Sequence, residues 1–217
     1  SAGGYSQIKQ TAQVQDRLFR YGATLVPIYV ALTFVLWVLL IIAGEVPYIA
    51  LCHAMSVLST SGISPIGGLY YAVAGFWGEV VIFAFFIFAI SRLTFSRGMF
   101  GDSDARLMRD PEMRLAIGLI LGTTLILFTR HYLGTIDDGG PSNIGGLFAS
   151  IWGSIFTVTS FLTTTGFESH YWDGATRWSG LETPGLFLVG LSLIGGGAAT
   201  TAGGVKLQRV YALARHS

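Results

Sequence analysis

Thr163-Thr164-Thr165-Gly166-Phe167 follows the 19-residue apolar stretch Ile144–Leu162, and Ser59-Thr60-Ser61-Gly62-Ile63 follows the 13-residue apolar stretch 46–58. A helix needs about 20 mostly apolar residues to span a bilayer, and shorter or interrupted stretches are re-entrant or interfacial. The first of these stretches is interrupted by three glycines and several polar side chains, and the second is too short. Gly62 and Gly166 stand 104 residues apart. The order around each is the same: spanning helix, short helix, hydroxyl–glycine peptide, spanning helix. The chain therefore carries an internal repeat of about 100 residues.

Outward from the two peptides, four segments have the length and apolarity of membrane spans: 22–43, 75–95, 115–133, and one that begins near Pro184. The second carries Glu79 near its start and Arg92 near its end; the third has Arg130 and His131 near its end. The fourth is apolar to Leu193 and then becomes glycine-rich. Composition agrees. Charged residues are 12% of the 217, against about 25% in soluble domains, and hydrophobic residues are 52%. So few charges cannot cover a soluble surface, and so much apolar sequence excludes disorder. A net charge of +1 argues against nucleic acid as a partner. The single cysteine, Cys52, excludes an intramolecular disulfide framework and a multi-cysteine zinc site.

Basic residues mark the cytoplasmic side. Eleven of the 13 fall on one side of the four spans, and only Arg130 and Arg177 fall on the other. Both termini and the loop 95–114 are therefore expected in the cytoplasm, and the loops 45–74 and 134–183 outside. The fold class expected is an all-α integral membrane protein of tandem helix–pore-helix–filter–helix repeats. Its divisions are a cytoplasmic N-terminal segment at 1–20, a first repeat with its cytoplasmic linker at 21–113, and a second repeat at 114–217.

Non-helical backbone at membrane depth is tolerated only when it is buried in protein or lines a water-filled cavity. Ser, Thr and Gly bring no bulky apolar side chain to such a cavity, and glycine admits positive φ, so successive carbonyls can turn to one side. Carbonyls arranged in this way replace the hydration shell of an alkali cation. The short helix before each peptide points its partially negative end toward the ion. On this reading Ser59, Thr60, Ser61 and Gly62 form one ion-binding filter strand, and Thr163, Thr164, Thr165 and Gly166 another.

The fourth span contains Gly195-Gly196-Gly197-Ala198-Ala199-Thr200-Thr201-Ala202-Gly203-Gly204-Val205-Lys206. Each helix-interior glycine costs about 1 kcal/mol relative to alanine, so this run is a poor helix. It is no nucleotide-binding P-loop, because Lys206 follows Val205 and precedes Leu207, where that motif demands Gly-Lys-Ser/Thr. A glycine face for close helix packing is one reading. The other is a gate loop, 195–204, below the filter, and a break in mid-membrane favours it because the freed backbone needs a cavity.

These two peptides and this run resemble the Trk/Ktr/HKT superfamily of potassium transporters. That family has a Thr-rich filter ending in Gly-Phe and, on the following helix, Gly-Gly-Cys-Ala-Gly-Ser-Thr-Gly/Ala-Gly-Gly-x-Lys. The stretch from Cys52-His53 to Gly62 is similar to the second repeat's pore helix and filter, and Arg109-Asp110-Pro111-Glu112-Met113-Arg114 to the joint between repeats two and three in the bacterial Trk branch. The family surrounds one pore with four repeats whose central glycines favour potassium, while serine in the first repeat goes with sodium. Here Ala199 replaces a usual glycine and Thr200 a usual serine, which stiffens the loop.

The resemblance covers nearly the whole chain but only the second and third repeats, so the chain looks like the central half, a fragment, of a transporter. It implies potassium uptake across the bacterial inner membrane, with a sodium or mixed carrier as the alternative within the family and a non-conducting membrane scaffold as the alternative outside it. Potassium, held by filter carbonyls, is the one cofactor-like ion. The partners implied are the lipid bilayer, a second copy forming a homodimer, and a cytoplasmic nucleotide-binding regulatory subunit. An enzyme is not expected, because His53 and His131 are isolated and no nucleophile–base pair accompanies them.

Three further readings complete the set. His53 is a packed residue rather than a metal ligand, having no second ligand at metal spacing. Glu79, with Asp137, Asp138, Glu168, Asp173 and Glu182, makes an acidic outer face suited to cations, or else ordinary solvated loop charge. Trp77, Trp152, Trp172 and Trp178 lie where an outer aromatic belt would put them.

Overall fold

The computed structural model describes residues 2–90, 111–138, 144–172, 184–197 and 200–216, and every regular element in them is a helix. Helix α1 is Ala2–Ile42 and α2 is Pro47–Ser59; α3, Gly75–Phe85, continues after a break at Phe86 as the single turn α4, Ile87–Ile90. Then come α5, Pro111–Asp138, α6, Ile144–Leu162, α7, Pro184–Ile194, and α8, Leu207–His216. The four expected spans all fall on helices: α1, the α3–α4 pair, α5, and α7 followed by a break. The end of the second span with Arg92, and most of the linker to α5, lie outside the described residues.

Within α1, Leu25–Ile42 is long and apolar enough to cross a membrane, alone in this among the described residues. One face of it is exposed at Val26, Val30, Phe34 and Ile42, while Leu36 and Leu40, one turn apart, are fully buried. An apolar exposed face with a narrow buried seam is what lipid on one side and protein on the other require. At the end of α1 the chain reverses through Gly44 at φ +100°, a region that penalises a side chain. Pro47 then opens α2, where its fixed φ and missing N–H suit the first turn. The Trp37 indole donates to the Pro47 carbonyl at 2.8 Å and ties the two helices together.

Two apolar clusters hold the helices. One joins Leu36, Leu40, Ala54, Val57, Ile82 and Phe86 with Phe156 and Phe167; the other joins Ile90, Met113, Ile120, Val158, Leu188 and Leu207. Helix α6 contributes Phe156 to the first and Val158 and Leu162 to the second, so it sits between them. The hydroxyl–glycine peptide that follows α6 starts from this buried position.

Candidate functional site

Both short helices end in the same backbone motif. In α2, Thr60 N donates to Val57 O at 3.2 Å and Ser61 N to Ser56 O at 3.0 Å; in α6, Thr164 N donates to Phe161 O at 3.0 Å and Thr165 N to Ser160 O at 2.9 Å. These are Schellman caps, in which the left-handed position after the helix is usually glycine. Here it is threonine twice, Thr60 at φ +51° and Thr164 at φ +59°. Two residues on, Gly62 and Gly166 also take positive φ, +65° and +82°. Side chains repeat the match in part: the Thr163 hydroxyl donates to Ser160 O at 3.0 Å, whereas Ser59 Oγ makes its short bond to Met55 O at 2.8 Å and lies 3.3 Å from Ser56 O. The Ser59 and Thr163 hydroxyls also lie 3.1 Å from those of Ser61 and Thr165 respectively. The backbone bonds and the hydroxyl–hydroxyl contacts are related by the 104-residue offset read from the sequence.

The two peptides are neighbours. A Cβ on Gly62 would stand 2.2 Å from the Thr165 carbonyl oxygen, whereas one on Gly166 would meet nothing within 4 Å. Thr163 and Thr165 are buried and Gly166 is exposed; in the first peptide Thr60 is buried and Ser59 and Ser61 are exposed. A cavity of about 230 Å³ beside them is lined by both glycines together with Ser64, Tyr70, Phe167 and Glu168.

The glycine-rich run makes an excursion that leaves α7 and returns to it. Val205 N donates to Leu193 O, Lys206 N to Ile194 O and Leu207 N to Gly196 O, at 2.8–3.0 Å, so the two ends of the run are stitched together. Gly195 and Gly204, at φ +75° and +81°, touch backbone to backbone at this neck: a Cβ on Gly195 would fall 2.1 Å from Gly203 O. Gly196 and Gly197 pack on the carbonyls of Ala89 and Ile90 at the end of α4, and Gly197 N and the Thr200 hydroxyl both donate to Ala89 O. Ala202 is buried, Thr201 exposed, and Ala198 and Ala199 lie outside the described residues. Close packing thus accounts for four of the five glycines, a role that low helix propensity alone does not convey.

Loop and peptides meet at the two left-handed threonines. The Thr60 hydroxyl donates to Thr201 O at 3.1 Å, and the Thr164 hydroxyl accepts from Gly203 N at 2.6 Å. A β-branched residue in the left-handed region costs about 1–2 kcal/mol. Glycine would avoid that cost but would lose both bonds to the loop.

Two sequence readings change at this level and a third holds. Glu79 is buried rather than displayed at an outer mouth: its carboxylate accepts from the Trp152 indole and the Ser169 hydroxyl at 2.7 Å each and from His170 N at 2.6 Å. A carboxyl group inside a spanning helix must find partners in the protein, and that rule was the signal available in the sequence. Of the expected tryptophan belt, Trp77 is exposed, but Trp172 is buried and Trp152 turns inward to Glu79; Trp178 lies outside the described residues. His53 is packed, as expected. Its Nε2 lies 2.8 Å from the Ser64 hydroxyl, and its ring meets Phe167 edge-on with centroids 5.6 Å apart. Burial holds its imidazole below the usual histidine range, with the Glu45 carboxylate pulling the other way. Among the described residues no group of three His, Cys, Asp or Glu side chains could hold a metal.

No protein-family model matches the chain. Over 207 residues it is 30% identical to the Trk system potassium uptake protein TrkH of Salmonella typhimurium, a match covering 93% of this chain and 39% of that protein. Against the Escherichia coli K12 protein of the same name the identity is 29% over 211 residues, with the same two coverages. The uptake protein TrkI of Halomonas elongata is 27% identical over 187 residues, 84% of this chain and 34% of its own length. The crystal structure of the potassium transporter TrkH from Vibrio parahaemolyticus superimposes with a TM-score of 0.72 at 24% identity, covering 91% of this chain and 40% of that one. The chain thus spans about two-fifths of the length of the curated relatives it matches. These relatives are transport proteins and not enzymes, as the sequence reading expects. Potassium is named in them as what is taken up, so it counts as a substrate and not, as the sequence reading had it, as a cofactor.

Proposed function

We propose that this chain, a homologue of the Trk system potassium uptake protein TrkH over about two-fifths of that protein's length, lines a potassium pathway with residues 59–62 and 163–166 and gates it with 195–204. The observation that carries the reading is the identity of backbone at the two peptides, positive φ at Thr60 and Gly62 and again at Thr164 and Gly166. One such cap is a local accident of a helix end. Two, in neighbouring peptides and with the same hydroxyl–hydroxyl contact, are what a pore built from repeats requires. The peptides follow directly from the C-termini of α2 and α6, whose partially negative ends favour a cation there. Carbonyls of the peptides take the place of the ion's water, so potassium passes partly dehydrated and without covalent chemistry. By the same homology, a second copy and a cytoplasmic nucleotide-binding subunit are its partners, and both ends of this chain face the cytoplasm.

The test is uptake by the full-length polypeptide in cells lacking their own potassium uptake. Gly166→Ser is expected to lower the initial-rate ratio of potassium to sodium, since its φ of +82° strains any side chain while leaving space for it. An unchanged ratio, with protein present in the membrane, overturns the filter assignment.

A further inference from the structure

The Glu79 carboxylate lies on α3, yet its partners belong to the other half of the chain. Trp152 sits on α6, before the peptide 163–166, and Ser169 and His170 sit just after it. One buried side chain thus grips the second peptide's supporting helix and its outgoing strand at once. The outgoing strand is held further: Ser169 N donates to Thr157 Oγ1 at 3.2 Å, Tyr171 N to the Ser169 hydroxyl at 3.1 Å, and the His170 ring bonds Tyr70 O at 3.0 Å. Gly153, one residue beyond Trp152, lets α6 approach closely, since a Cβ there would meet the Tyr171 backbone at 3.0 Å. Phe167, between Gly166 and this clamp, is buried against His53.

From this we infer that Glu79 is a positioning residue for ion selection: it sets the height and spacing of 163–166 from across the boundary between the two halves. The inference rests on the reading of 163–166 as filter. Two oxygens accepting from three donors is a role for a carboxylate and not for an amide. In Glu79→Gln the amide nitrogen faces either His170 N–H or the Trp152 indole N–H, so one buried donor loses its acceptor whichever way the amide turns. Carbonyl spacing decides between cations of different size, so a displaced strand changes discrimination and not only yield.

The experiment measures rubidium and sodium uptake by the full-length polypeptide in cells lacking their own potassium uptake, normalised to protein in the membrane, for wild type, Glu79→Gln, Ser169→Ala and Gly166→Ser. Loss of a buried acceptor predicts a rubidium-to-sodium ratio about tenfold lower in Glu79→Gln, with KM for rubidium raised, and about threefold lower in Ser169→Ala, where Glu79 loses one of its three donors and Tyr171 N its side-chain acceptor. A purely structural role would lower the amount of protein and leave ratio and KM alone. Unchanged ratio and KM in Glu79→Gln and Ser169→Ala, with the ratio shifted in Gly166→Ser, overturn the role of Glu79 and leave the filter reading standing. An unchanged ratio in Gly166→Ser removes the filter reading and this inference with it. Should Glu79→Gln not reach the membrane, Ser169→Ala decides: a lowered ratio supports the clamp, and an unchanged one overturns it.

Discussion

Gly62 lies against the main-chain carbonyl of Thr165, so close that a Cβ at position 62 would stand 2.2 Å from that oxygen, while the equivalent Gly166 faces open space. The two glycines share a sequence context and a positive φ but not a neighbourhood. Gly62→Ala must distort backbone on both sides of the contact, adding overpacking of about 1–3 kcal/mol to left-handed strain of about 1–2 kcal/mol. Gly166→Ala incurs only the strain. Thermal unfolding of the purified protein in detergent should therefore rank wild type above Gly166→Ala and Gly166→Ala well above Gly62→Ala. Equal melting temperatures for the two variants would show that the peptides do not touch.

The threonines Thr60 and Thr164 are strained where glycine would be relaxed; the Thr164 hydroxyl accepts from the glycine-rich loop, and the Thr60 hydroxyl is shared between Ser59 O at 2.8 Å and Thr201 O of the loop at 3.1 Å. Thr164→Val keeps the shape and strain but removes the acceptor for Gly203 N–H, at a net cost of about 1 kcal/mol in the hydrogen bond. That shifts the loop toward positions other than the observed one by roughly fivefold. Basal potassium uptake should rise by a similar factor in Thr164→Val and more in the Thr60→Val/Thr164→Val pair, while Thr164→Ser, which keeps the hydroxyl, should match wild type. Flux unaltered in all three would mean that the loop does not limit conduction.

At the neck of the same loop, glycine is required by contact. Gly204→Ala would drive a methyl to within about 2.6 Å of Gly195 Cα, in addition to the left-handed strain. Gly203→Ala meets nothing nearer than the Thr164 hydroxyl at 3.4 Å. The first should lose on the order of 3 kcal/mol or more and the second about 0.5 kcal/mol or less, values typical of backbone clashes and of tolerated surface changes. Chemical denaturation or proteolysis of the two variants checks the order, and equal losses would contradict the observed neck.

Much of this was readable in the sequence, because it rests on length and period. Apolar run lengths placed the helices α1, α3–α4, α5 and α7, and the doubled hydroxyl–glycine peptide gave the 104-residue offset that the backbone of Thr60 and Thr164 then repeats. What escaped was set by tertiary neighbours. The run 195–204 reads as merely poor helix, although Gly195 and Gly204 are glycine because two backbones cross there. Glu79 reads as a mouth charge because its partners Trp152, Ser169 and His170 lie more than 70 residues away. Burial of Trp172 is of the same kind, since a tryptophan's place in a belt or a core depends on what packs against it.

His53 supplies a pH test of the first peptide's support. The Ser64 hydroxyl, 2.8 Å from Nε2 and 3.2 Å from Gly68 O, can accept from an Nε2–H or donate to a bare Nε2, so the neutral imidazole keeps this bond in either tautomer. The neutral imidazole is what burial favours, and Glu45 only partly opposes it. With the folded-state pKa below the unfolded value, the unfolded chain binds the proton first. Stability is therefore full above about 6.5, the ordinary histidine pKa, and declines as pH falls below it. Melting temperature in detergent should drop between about pH 7.5 and 5.5. In His53→Gln, whose amide N–H can still reach Ser64, the drop should be smaller. An equal drop in both proteins would place the titrating group elsewhere, and a rise on acidification would mean that His53 is stabilised as the cation.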